Sequence, residues 1–261
     1  MRITVLVKPI LDISRTDIIS RDVLPRANLK INDVDKSALE LALKLKNQLG
    51  GEVIVISALT WFCSETRRIR EVAKLLRETL ALGADKAIMV KGSDLCIGDH
   101  RITAEALLEA IKRSGPYDLI LCGEGSSDIF SQVVPALIAS KLNIPFIGLV
   151  KDMKISSNKV IADLKLDNVV MSIEVELPVV ASVAKEIATP RLPTLIDLKR
   201  AYKKPIDIID FSRKCLTRDI EIIDFKVVSE ARKQLIKVHA SLNEMATELI
   251  NVLKELHVVN A

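Results

Sequence analysis

The sequence predicts an α/β protein: a doubly wound, mostly parallel sheet, then a β-meander, then a C-terminal helical arm. Three observations carry that expectation. Four short aliphatic runs lack polar alternation, as strands buried on both faces do. Amphipathic helical stretches separate them, which is the rhythm of a parallel sheet with crossover helices. After Pro145 the rhythm changes to successive strands without helices between them.

The four runs are Ile3–Val7, Val53–Ile56, Ala87–Val90 and Leu119–Cys122. Between the first two, Asp35–Leu49 places Ala38, Leu41, Ala42, Leu45 and Leu49 on one helical face and stops at Gly50-Gly51. A second helix, Glu71–Leu82, stops at Gly83. A third, Thr103–Lys112, stops at Ser114-Gly115-Pro116. A fourth, from about Ile129 to Leu142, stops near Asn143 and Pro145. The meander is Val150–Ile155, Val160–Leu166 and Val170–Glu176, with a turn at Ser156-Ser157-Asn158, and Val179–Val183 is one more apolar strand. From Thr189 to Ile206, three prolines and weak periodicity predict a linker. In Ser229–Leu256, Leu235, Val238, Leu242, Met245, Leu249, Val252 and Leu256 follow a 3-4 spacing, a narrow helical seam. That helix either folds back on its own domain or packs as an arm on another subunit. The division expected is therefore 1–188 for the α/β domain and 189–261 for linker and arm.

Composition excludes several classes. Of 261 residues, 49% are apolar and 28% charged, which suits a globular chain. Net charge is +4 with both signs interleaved, and one Trp, two Tyr and five Phe leave little for base stacking, so no nucleic-acid surface is expected. Cys63, Cys96, Cys122 and Cys215 form no paired spacing and predict free thiols in a reducing cytosol, not a metal site. The apolar run at the N-terminus, up to Lys8, is too short for a signal or a membrane span, so the chain is expected to be soluble and cytoplasmic. His100, His239 and His257 are isolated and expected at the surface; no catalytic constellation can be assembled.

Doubly wound sheets bind ligands beyond the carboxyl ends of their strands. Three junctions converge there: Val7-Lys8-Pro9, Ile31-Asn32-Asp33-Val34-Asp35, and Gly123-Glu-Gly125-Ser126-Ser127-Asp128. Gly123 and Gly125 allow close backbone approach, and a helix start after Ser126, Ser127 and Asp128 offers N–H groups to a phosphate. Asn32 can hydrogen-bond a ribose or base. The plainer alternative is that Asn32 and Asp128 only cap their helices.

Four motifs in order carry a family resemblance: "KINDVDKSALELALKLK" (Lys30–Lys46), "LRETLALGADKAIMV" (Leu76–Val90), "CGEGSSDIFSQVVPALIASKLNIP" (Cys122–Pro145) and "LPVVASVAKEIATPRLPTLIDLKRAYKKPI" (Leu177–Ile206). With them the chain resembles the β subunit of electron transfer flavoprotein over about residues 1–207. The resemblance implies a Rossmann-like fold of the adenine-nucleotide α-hydrolase type. It implies a heterodimer with an α subunit that holds most of a shared FAD, with AMP buried structurally in the β subunit. The heterodimer would carry electrons from flavin dehydrogenases to a membrane electron transfer flavoprotein:quinone oxidoreductase, with no membrane insertion of its own.

By position, AMP contacts fall at Leu6, Asn32, Asp33, Val34, Asp35, Ala58, Gly123, Gly125, Ser126, Ser127, Asp128, Ser131, Gln132 and Val133. Ile13 and Val34 fall near the flavin edge. Ile187, Pro190 and Arg191 fall on the partner-recognition loop, with Ile187 an apolar tip. Two rivals share the features: an electron-bifurcating β subunit with a second FAD and NADH as donor, and an ATP-cleaving hydrolase. The first lacks its Asp-Gly-Asp-Thr-x-Gln pattern here. The second would need a Ser-Gly-Gly-x-Asp-Ser loop where this chain has Lys8-Pro9-Ile10-Leu11. The chain also departs from the family at Leu59–Arg70, longer by about ten residues and without glycine, and at Asn168-Val169 in place of a Gly-Gly turn.

Overall fold

The computed structural model describes residues 1–12, 27–63, 65–95, 97–167, 169–212 and 241–255. The chain forms two compact units, Met1–Lys226 and Val227–Ala261. Ile13, Cys96, Asn168, Cys215, His239, His257 and the seam positions Leu235, Val238 and Leu256 lie outside the described residues.

The first unit runs β1 (Arg2–Leu6), β2 (Pro9–Leu11), β3 (Leu29–Ile31), α1 (Asp33–Leu49), β4 (Glu52–Ala58), α2 (Thr66–Leu82), β5 (Lys86–Lys91), α3 (His100–Ser114), β6 (Leu119–Gly123) and α4 (Val134–Leu142). It continues with β7 (Phe146–Ser156), β8 (Lys159–Leu166), β9 (Val169–Glu176), β10 (Val179–Val183), α5 (Leu195–Ala201) and β11 (Ile206–Asp210). One sheet takes the order β11-β5-β4-β1-β6-β10-β7-β8-β9; all pairings from β11 to β7 are parallel, and β7, β8 and β9 are antiparallel. The doubly wound expectation therefore holds, with the meander fused onto the same sheet through β10.

Alternate strand residues serve opposite faces. Ile3, Val5, Val53 and Val55 join a core with Leu39, Leu43, Val72 and Leu76 of α1 and α2. Leu6, Ile54, Ile56 and Ile120 join a second core with Ile102, Leu107 and Ile138 of α3 and α4. Both faces being dry is why the runs read as continuous apolar stretches. β1 has β4 on one side and β6 on the other, so the crossover direction reverses beside it. That switch point opens the crevice described below.

Helix ends differ from the sequence reading in instructive ways. α3 starts earlier, because Asp99 caps it by accepting from the Ile102 N–H at 2.9 Å. Asp99→Ala is expected to cost about 1 kcal/mol in urea unfolding, the usual worth of such a cap. α2 starts at Thr66, so part of the long Leu59–Arg70 segment is helix. α4 starts at Val134, not Ile129: Phe130 (φ 53°) and Gln132 (φ 59°) are left-handed, which no α-helix tolerates.

The expected linker is ordered. Thr194 and Asp197 form a reciprocal capping box that starts α5. β11 extends the sheet beside β5, and Arg77 Nη1 donates to the carbonyls of Ala201 and Lys204 at 2.8 and 2.6 Å. The division at 188/189 thus falls inside the first unit. The short ribbon β2–β3 is an additional element. In the second unit, α6 (Leu242–Glu255) carries Leu242, Met245 and Leu249 exposed and Val252 half-buried. Among the described residues, no helix is long and apolar enough to cross a membrane.

Candidate functional site

The carboxyl ends of β1, β4 and β6 surround an open cleft of about 770 Å³, mouth included. Its wall includes Leu6, Val7 and Lys8 at the end of β1 and beyond, Ala58 and Thr60 at the end of β4 and beyond, and Cys122 to Ser126 at the end of β6 and beyond. Asn32 and Asp35 enter from the start of α1, while Gly98, His100 and Thr103 enter from the start of α3.

Asp35 joins two of these junctions. Its carboxylate accepts from the Lys8 N–H at 2.8 Å and the Gly123 N–H at 2.9 Å. Burial pushes its carboxyl up to about 6, against the opposing effect of those N–H groups, Asn32 and the Lys8 ammonium. Gly123 is required by this packing. A Cβ there would stand 2.6 Å from Asp35 Oδ1 and 2.9 Å from Val34 Cβ. At Gly125 it would meet the Phe130 ring at 2.8 Å.

Asn32 and Asp128 do not act as side-chain helix caps. The Asn32 amide donates to the Gly125 carbonyl at 2.9 Å, and its oxygen accepts from the Ser127 N–H at 3.4 Å. Asp128 lies six residues before α4, and its two oxygens accept from Lys8 Nζ at 2.7 Å and Trp61 Nε1 at 2.8 Å. Lys8 Nζ also donates to Ser126 Oγ at 3.0 Å. Burial alone would raise the Asp128 carboxyl, but the bonds from Lys8, Ser126 and Trp61 outweigh it and hold it below its ordinary value. The capping alternative fails for both residues because the polar atoms are spent between loops. Their geometry ties the 123–133 loop to β1, α1 and the segment after β4.

The structure brings Leu6, Asn32, Asp35, Ala58, Gly123, Gly125, Ser126 and Ser131 together on the cleft wall. Ser127 and Asp128 adjoin it through the bonds above. Asp33 is exposed and bound to Lys36 at 2.9 Å, Val34 packs by Gly123, and Gln132 and Val133 are exposed beyond the wall. His100, expected at the surface, is half-buried on the wall. It, Thr103 and Thr60 are additions to the sequence reading, and Lys8 belongs to a junction that the sequence placed there. The β5–α3 junction was legible in principle, since every strand–helix turn of a parallel sheet opens on the same edge.

The segment expected to form a partner-recognition loop differs from that expectation in detail. Ile187 closes a 3-10 turn, Lys185–Ile187, half-buried against the core, so it is not a free tip. The exposed aliphatic side chains of this region are Leu192, Leu195 and Ile196. Pro190 is half-buried. Arg191 donates to buried Glu40 of α1 through Nη2 at 2.6 Å and Nε at 2.8 Å, a fork that fits a carboxylate.

Two comparisons with known proteins bear on this site. Residues 23–214 match the family model described as the electron transfer flavoprotein domain. The electron transfer flavoprotein subunit beta of Thermoanaerobacterium thermosaccharolyticum is 34% identical over 207 residues, 78% of this chain and 76% of the relative.

Proposed function

The chain belongs to the electron transfer flavoprotein β-subunit family, and from that premise we propose that its cleft holds AMP as a structural ligand while an α subunit holds FAD against it. FAD, when bound, supplies the redox chemistry; this chain's residues bind, bury and position. The heterodimer would take electrons from flavin dehydrogenases and deliver them to a membrane quinone oxidoreductase.

One observation carries the nucleotide reading: a crevice at the switch point has a wall built for a ligand and a polar group there without a partner. The Thr60 hydroxyl is buried on that wall and has no hydrogen-bond partner among the described residues. Buried hydroxyls are normally satisfied, so a bound molecule or an ordered water on this wall would complete it. The residues present fit an adenine nucleotide: Asn32 and the 123–133 backbone for ribose and phosphate, and Leu6, Ala58 and Leu107 for the base. Val34, with Ile13, would approach the flavin edge. The segment from Ile187 through Pro190 and Arg191 to Ile196 would meet the dehydrogenases, and α6 would lie along the α subunit.

The test is co-expression with the α partner, followed by extraction of bound nucleotide and mass spectrometry. One FAD and one AMP per heterodimer is the expected result. Two FAD per heterodimer would instead indicate a bifurcating complex. No adenine nucleotide beyond the α-bound flavin would overturn the reading.

A further inference from the structure

We infer that Lys8 is the phosphate-binding cation of the cleft and that Trp61 positions it through Asp128. The inference rests on the nucleotide reading and adds a residue and a strut that the reading does not contain.

Lys8 is the one lysine or arginine among the described residues of the cleft wall, which also carries the carboxyl groups of Asp35 and Glu124. A phosphate placed there gains from a counter-charge beside the 123–133 N–H groups, and the Lys8 ammonium offers one. An ammonium has three N–H donors. Described residues use two of them, Asp128 Oδ1 and Ser126 Oγ, which leaves one for a ligand oxygen. Lys8 directly follows β1, the strand beside the switch point, so its backbone is fixed: its N–H is held by Asp35 and its carbonyl accepts from the Asn32 N–H at 3.0 Å.

The direction of the side chain is set by Asp128, and Asp128 is set by Trp61. Trp61 is buried, and its indole N–H holds the carboxylate oxygen that Lys8 does not use. Asp128 therefore keeps its negative charge and a fixed place, and Lys8 is drawn to the loop rather than into solvent. Trp61 lies in Leu59–Arg70, the segment whose length departs from the family. That segment thus takes part in the ligand site as a strut between β4 and the 123–133 loop.

The test compares AMP with adenosine, titrated into nucleotide-free heterodimer with its α partner and followed by calorimetry. Lys8→Met is expected to weaken AMP by about 10- to 100-fold, the worth of a hydrogen bond to a charged group, and to leave adenosine unchanged. Lys8→Arg should recover most of the loss. Trp61→Phe, which keeps the ring and removes the donor, should give a smaller loss confined to AMP. Should Lys8→Met fail to fold, the wild-type heterodimer still decides: AMP affinity must fall with added salt while adenosine affinity does not. Equal losses for both ligands, or the same salt response for both, overturn the inference while sparing the nucleotide reading. A wild-type heterodimer that binds neither ligand defeats both.

Discussion

Asp35→Ala is expected to destabilise the protein by about 2–5 kcal/mol, because it strands one buried and one partly buried N–H donor at roughly 1–3 kcal/mol each. The donors are those of Lys8 and Gly123, on the two strand ends that frame the cleft. Urea unfolding at neutral pH measures the effect. A second signature comes from titration. The Asp35 carboxyl is raised to about 6 in the folded protein, chiefly by burial, against about 3.9 for an unfolded chain. A raised carboxyl contributes stability that is complete below pH 4 and is lost as pH rises through 6. Over that window the wild type should lose up to about 3 kcal/mol relative to Asp35→Asn. Asp33, Glu71 and Asp128, all held below their ordinary values, act in the opposite sense but are common to both proteins and cancel. A wild-type advantage that grows with pH would show that the carboxylate is favoured in its charged form.

Gly123→Ala is expected to cost about 3 kcal/mol, the upper part of the range for overpacking a filled site. The neighbours cannot give way cheaply. Asp35 is fixed by the Lys8 N–H, and Val34 belongs to the first turn of α1. Moving the strand end would also break the bond from the Gly123 N–H to Asp35. Gly148→Ala is the control, since a Cβ there meets only ordinary contacts of 3.5 Å or more. Similar unfolding midpoints for the two variants would refute the packing account.

Much of this arrangement was legible in the residues themselves. Continuous aliphatic runs predicted β1, β4, β5, β6 and β10, because a strand dry on both faces has no polar alternation to disguise it. The meander was legible from alternation and from its turn, where Ser157 and Asn158 adopt φ of 47° and 66°. The start of α4 was not. A run of apolar residues after Ser-Ser-Asp reads as helix, yet Phe130 and Gln132 turn left-handed, and local propensity has no term for that. β11 escaped notice for another reason: it follows three prolines, and only pairing with β5 makes Ile206–Asp210 a strand. At the cleft, the glycines and Asn32 stood out by residue type. Lys8 stood on a converging junction and Trp61 on the long segment after β4, but their link was not legible, because it runs through Asp128, far away in sequence.

The Glu40–Arg191 pair has a consequence for the order of assembly. The two residues are 151 positions apart, and Glu40 is 5% exposed. Burying Glu40 on α1 requires this partner, because an ionised carboxylate taken out of water without one is costly. Arg191 follows β10, so the pair can close only once the chain beyond the meander is present. Contacts of such span form late and slowly in folding. The segment that follows Arg191, with its exposed Leu192 and Leu195, is thereby anchored at its start only once α1 and the chain after β10 have met.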